Sequence, residues 1–258
     1  MSKSMQTTGH DDASNSKIRR LCFNNADCSY MRLQKFLSYA GFCSRRKGEK
    51  LIVKGSVKVN GKIVTELGTK VCPESDVIEV DGQLINSEKK HIYIALNKPK
   101  GYVTSCNQPG QKIIFDIINI SKRVYPIGRL DKNSTGLLLL TNDGKLHHRL
   151  SHPSFDHEKE YEIKVAKPIS DESLNLLKKG VLILGKITRP ARIKRVSSNH
   201  FCITLKEGRN RQIRRMVNMV DNKVTNLKRI RISNIKIGKL SEGSWRYLTE
   251  KERKHLMC

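Results

Sequence analysis

Positive charge sets the first limit on this sequence. Its 258 residues carry 50 lysines and arginines against 24 aspartates and glutamates, a net of +26. A compact chain with that imbalance repels itself unless a polyanion or salt screens it. Nucleic acid is the obvious screen, because each phosphate neutralised by Lys or Arg releases condensed counterions. The charge names a class of partner and no activity, since ribosome-associated proteins of every kind share it.

The length suffices for two domains. No run of 18 apolar residues is present, so no membrane-spanning helix is expected. The seven cysteines are scattered without a C-x-x-C pair, which fits neither a disulfide framework nor a zinc finger. Reduced thiols in a cytoplasmic protein are the expectation. Residues 1–30 are polar and lack the apolar stretch of a signal peptide, and they read as a disordered tail.

Ordered patterning starts at Met31. Leu33, Phe36, Leu37 and Ala40 recur at helical spacing, and Gly41 can end that helix. Ser44 is a natural N-cap for a second, basic helix through Arg45, Arg46, Lys50 and Ile52 to Gly55, with Gly48 as a weak point inside it. Val57 to Val64 alternates around Asn60-Gly61, a strong hairpin signal, and Val77 to Val80 adds a strand closed by Asp81-Gly82. These elements define a unit over 31–86. After a polar linker from Asn86 to His91, a region over 91–250 opens with the apolar strand Ile92–Leu96, broken by Lys98-Pro99. Strands at Leu137–Leu140, Tyr161–Val165 and Phe201–Leu205 interleave with helices at Lys145–Leu150, Asp171–Lys179 and Arg211–Val220, and Leu227–Ile237 is extended. Such interleaving implies an α+β fold with a mostly antiparallel sheet.

The common enzyme signatures fail in turn. Five residues rather than four separate Gly55 and Gly61, with Ile63 where a phosphate loop needs Ser or Thr. No G-x-S-x-G elbow and no H-E-x-x-H occurs. His147, His148, His152 and His157 cluster without a completing Cys or carboxylate, so no metal site is expected. Aromatics are only 5%, which disfavours a base-stacking sheet.

Two segments remain. In Gly128-Arg129-Leu130-Asp131-Lys132-Asn133-Ser134-Thr135-Gly136 an acid sits between two cations in a turn before an apolar strand. Arg129 and Lys132 would favour the ionised, nucleophilic form of Asp131. On charge pattern alone a surface ion pair is the better account. Lys206 to Arg215 packs five cations into ten residues at a helix start, which suits phosphate binding better than a merely solvated face.

These blocks together resemble the RsuA/RluB-type family of ribosomal RNA pseudouridine synthases, and the resemblance spans Met31 to Trp245. Arg32 to Leu37 and Ser44-Arg45-Arg46 through Gly61 resemble the RNA-binding module of ribosomal protein S-four. Asn97-Lys98-Pro99-Lys100-Gly101, Gly128-Arg129-Leu130-Asp131, Lys159-Glu160-Tyr161 and Gly208 to Arg215 resemble successive catalytic-domain motifs. The resemblance implies that Asp131 is the nucleophile, that Tyr161 stacks on the target base, and that Arg214 pairs with the catalytic carboxylate. It implies an apolar pocket wall from Ile213 and a gap-filling role for Arg129 once the nucleotide is flipped. Arg209, Arg211, Arg45 and Arg46 would bind substrate. The isomerisation needs neither cofactor nor metal. The segment Gln108 to Asp116 resembles the large-subunit branch.

The implied partner is ribosomal RNA or a pre-ribosomal particle, engaged by a monomer without membrane attachment. A non-catalytic ribosome-assembly factor with the same fold accounts for the charge equally well. The joint presence of Asp131, Tyr161 and Arg214 speaks for the enzyme. A DNA-binding reading lacks a recognition-helix or dimer pattern.

Overall fold

The computed structural model describes residues 29–86, 90–152 and 155–257. Of the tail expected to be disordered, residues 1–28 lie outside these, as do 87–89 of the expected linker. No helix among the described residues is long and apolar enough to cross a membrane.

The N-terminal unit is built as its pattern indicates. A short strand β1 (Met31–Arg32) leads into α1 (Leu33–Tyr39), and α2 follows (Arg45–Val53). Ser44 caps α2 by accepting from the Lys47 backbone N–H at 3.2 Å. Gly48 is buried where the helices meet: a Cβ there would stand 3.4 Å from both Gln34 Cβ and Leu37 Cδ1. Then come β2 (Val57–Val59), β3 (Lys62–Ile63), β4 (Lys70–Val71), β5 (Ile78–Val80) and β6 (Gln83–Leu84). Asn60 and Gly61, at φ 50° and 78°, make the tight turn between β2 and β3. Leu33, Phe36, Leu37, Ile52, Val57, Ile78 and Val80 form a core of their own. Cys43, Cys106 and Cys202 are free.

The second region centres on β7 (Tyr93–Lys98), β8 (Tyr125–Ile127) and β9 (Thr135–Thr141), followed by α3 (Gly144–Ser151) and β10 (Lys159–Val165). Beyond these lie α4 (Asp171–Lys179), β11 (Leu182–Ile183), β12 (Lys186–Ile187), β13 (Arg192–Ser197) and β14 (His200–Leu205). The chain ends with α5 (Gln212–Asn218), β15 (Val224–Ile232), β16 (Ile235–Lys236), β17 (Trp245–Tyr247) and α6 (Glu250–Met257). The main path of the sheet runs β13-β14-β10-β15-β9-β7-β17. Apolar side chains fill both of its faces: Ile94, Leu96, Leu138 and Leu140 join one core, and Tyr93, Ala95, Leu137 and Leu139 the other. This explains why β7 and β9 read as continuous apolar runs.

The pairings are antiparallel with one consequential exception. β15 runs parallel to β9, with Lys228 opposite Thr135 and Arg229 opposite Gly136. The approach is so close that a Cβ on Gly136 would lie 2.3 Å from the Arg229 carbonyl oxygen, and Gly136 has φ 103°. Only glycine fits there. The result is that the loop before β9 and the helix before β15 share one end of the sheet.

Candidate active site

Asp131 sits in the turn entering β9, where the Ser134 N–H donates to its carbonyl at 3.0 Å. Its side chain is about one-third exposed and opens onto a cavity of about 110 Å³. Arg129, Leu130, Tyr161, Leu205, Arg209, Arg211, Ile213 and Leu227 also line that cavity. One polar wall and several apolar ones make a space on the scale of a single pyrimidine ring. Seven of the predicted residues thus surround or back the cavity. Arg45 and Arg46 stand apart from it, exposed on α2.

The cations beside Asp131 are not its sequence neighbours. Lys132 Nζ donates instead to Gln111 Oε1 at 2.6 Å. Arg214 Nε and Arg211 Nη1 each lie 3.8 Å from Asp131 Oδ2. Arg214 is fixed on its other edges: Nη1 donates to the Val224 carbonyl at 3.3 Å, and Nη2 to Asn133 O at 3.1 Å and Ser134 Oγ at 3.3 Å. Its buried Nε has no hydrogen-bond acceptor. Burial pushes the Arg214 pKa down, Arg211 adds to this, and Asp131 opposes both. The guanidinium therefore faces the carboxylate across a gap that a small movement closes.

Arg211 supports this arrangement with its backbone. It adopts the left-handed conformation, φ 50° and ψ 34°, as the N-cap of α5. That conformation costs a side chain about 1–3 kcal/mol and persists where surrounding contacts impose it. Here Gln212 imposes it, donating Nε2 to Glu207 Oε1 at 2.6 Å and accepting from the Arg209 N–H at 2.9 Å. Arg209 spends its own donors internally, on Glu207 Oε2 at 3.2 Å and on the Lys186 and Ile187 carbonyls at 3.0 and 2.8 Å. It lines the cavity and ties the β11–β12 hairpin to its rim.

One residue of the site lies in a recognised motif but has no role assigned to it there. Lys98, at the end of β7, is fully buried. Its ammonium donates to Pro99 O and Ser134 O, each at 2.9 Å, and to Lys132 O at 3.5 Å. It pins the Asp131 turn from beneath. Burial pushes its pKa down to about 8, against the pull of Asp131 and Glu242. The sequence marks Lys98 only as part of the Asn97 to Gly101 motif that closes an apolar strand.

Two of the clustered histidines pack together, while His147 lies against Tyr125 and His157 against Phe155. The His148 and His152 rings stack at 5.1 Å, and Phe155 lies edge-on to both. No group of three or more potential metal ligands is found among the described residues.

Residues 31–78 match the S4 domain model, and residues 92–219 match the model described as RNA pseudouridylate synthase. The chain is 44% identical over 226 residues to the dual-specificity RNA pseudouridine synthase RluF of Escherichia coli (strain K12), covering 87% of this chain and 77% of that protein. It is 42% identical over 233 residues to ribosomal large subunit pseudouridine synthase B of Bacillus subtilis (strain 168), covering 87% and 95% respectively. A crystal structure of a pseudouridylate synthase superposes with a TM-score of 0.66 at 32% identity, covering 88% of this chain and 99% of that one.

Proposed function

The chain belongs to the RNA pseudouridylate synthase family, and from that premise we propose that it converts a uridine of large-subunit ribosomal RNA to pseudouridine, with Asp131 as the nucleophile. The reading rests on one observation above all: Asp131, Tyr161 and Ile213 open onto the same cavity, with Arg214 facing the carboxylate.

The reaction is an isomerisation. Asp131 adds to the flipped nucleotide, at the sugar C1′ or on the base. The N1–C1′ bond breaks, the uracil turns, a C5–C1′ bond forms, and the bond to Asp131 breaks to return the free carboxylate. C5 gives up its proton and N1 gains one, so the atoms balance without an outside group or redox partner. Leu130, Leu205, Ile213 and Leu227 exclude water from the base, and Tyr161 stacks on it and assists removal of the C5 proton. Arg214 holds the carboxylate in line, a preorganised charge in a partly dry site. Arg129, exposed at the rim, fills the gap left by the extruded nucleotide. Arg45, Arg46 and Arg211 meet phosphates, while Arg209 shapes the cavity wall. The protein works as a cytoplasmic monomer on ribosomal RNA or a pre-ribosomal particle.

Incubation with ribosomal RNA lacking its modifications, followed by mass-spectrometric mapping, tests the reading. One new pseudouridine site in large-subunit RNA is expected. Tight binding without pseudouridine in any ribosomal RNA contradicts it and favours an assembly factor.

A further inference from the structure

A second cationic cluster lies beside the candidate active site and takes no part in holding Asp131. Lys159 opens β10 two residues before Tyr161, so the two share a strand face about 7 Å apart. Arg229 pairs with Tyr161 across the sheet. It is 3% exposed and donates Nε to the Leu137 carbonyl at 2.7 Å, but its buried Nη2 has no acceptor. His157, also beside Lys159, has a buried Nε2 with no partner. Lys159 itself makes one long contact, Nζ to His157 O at 3.5 Å.

No carboxylate balances these groups among the described residues. The adjacent acids are committed outward: Glu158 to Arg192 at 2.5 Å and Arg231 at 3.1 Å, Glu160 to Arg231 at 2.7 Å. Burial and Arg229 together depress the Lys159 pKa, and burial followed by Lys159 and Arg149 depresses that of His157. Lys159 and Arg229 are two neighbouring cations that repel one another, and the buried Arg229 Nη2 has no acceptor, which makes this face favourable to an anion.

We propose that Lys159, backed by Arg229 and His157, binds one phosphodiester group of the substrate RNA next to the nucleotide held at Tyr161. The assignment rests on the RNA-modifying function proposed above. Lys159 provides the contact because it is part-exposed, whereas Arg229 acts through its field from beneath. One phosphate oxygen gives Nζ a closer acceptor than the His157 carbonyl at 3.5 Å, and the negative charge offsets the repulsion between Lys159 and Arg229.

Titration of RNA affinity against salt tests the site directly, using the full chain and an unmodified ribosomal RNA fragment. Lys159→Gln should bind about tenfold more weakly, with a slope of log K against log salt shallower by about one. It should raise KM far more than it lowers kcat, because a phosphate contact is made in the ground state and the transition state alike. Lys159→Arg should restore the slope. Lys164→Gln, exposed on the opposite face of the same strand, should leave it unchanged. Should the Gln variant fail to fold, Lys159→Met keeps the aliphatic stem and serves instead. An unaltered slope in the folded Lys159 variants overturns the proposal, as does an equal loss at Lys164. If wild type makes no pseudouridine, the function fails while the slope still decides the phosphate contact.

Discussion

Arg45, Arg46 and Lys50 stand on the exposed face of α2, whereas Lys98, Arg214 and Arg229 are enclosed beneath the candidate active site. The two sets carry the same charge and do different physical work. Among the described residues no backbone carbonyl anchors the arginines of α2, and long side chains in water act through the summed field, which salt screens. Under the site each cation is fixed by carbonyls: Lys98 by Pro99 and Ser134, Arg214 by Val224 and Asn133, Arg229 by Leu137. A positively charged chain of this kind spends its surplus on affinity at one end and on geometry at the other.

Arg214→Gln breaks the enclosed set most severely. It removes the charge facing Asp131 and leaves carbonyls without donors, so kcat should fall about 100-fold or more. RNA affinity should stay within about threefold, measured by single-turnover kinetics beside equilibrium binding. The opposite pattern, lost affinity with kcat retained, would put Arg214 with the exposed set. Arg45→Glu combined with Arg46→Glu should do what Arg214→Gln does not. Binding should weaken at least tenfold with a salt slope shallower by about two, while turnover at saturating RNA changes little.

Lys98→Met sharpens the comparison through pH. Burial lowers the Lys98 pKa from 10.5 to about 8, so the folded protein releases this proton before the unfolded chain does. Between those pH values the unfolded state binds more protons, and this group's contribution to stability rises with pH. Denaturant unfolding from pH 7 to 10 should show wild type gaining on Lys98→Met. A constant difference across that range would mean that Lys98 titrates normally. The smallest effect belongs to Gly48→Ala in the N-terminal unit. The helix gains up to about 1 kcal/mol of propensity, and contacts at 3.4 Å take part of it back. A slight rise in Tm with unchanged RNA binding is the expected result.

How far each region is legible in the sequence follows the same division. The N-terminal unit is local: Ser44 caps its helix, Asn60-Gly61 turns its hairpin, and neighbouring elements pack together. Long central strands such as β9 declare themselves by apolar runs. Asp131, Tyr161, Ile213 and Arg214 are found by motif, but their meeting depends on the parallel β9–β15 pairing, which joins segments some ninety residues apart. No local pattern encodes that pairing; Gly136 permits it without announcing it. Charge pattern alone points to Arg129 and Lys132 as the cations beside Asp131; the motif supplies Arg214, and only the fold adds Arg211 at the same distance. Lys98 reads as a polar strand end until its three carbonyl partners are in view. The β11–β12 hairpin, β17 and α6 are short or weakly apolar, and tertiary contacts decide them.

The central claim is that Asp131 does chemistry and contributes little to holding RNA. Asp131→Asn and wild type, each incubated with the same unmodified ribosomal RNA, should differ in one respect. The wild type should form a single pseudouridine detectable by mass spectrometry and the variant none, with affinities equal within about threefold. Pseudouridine formed by the variant at a rate near that of wild type would contradict the account, and so would activity and affinity lost in parallel.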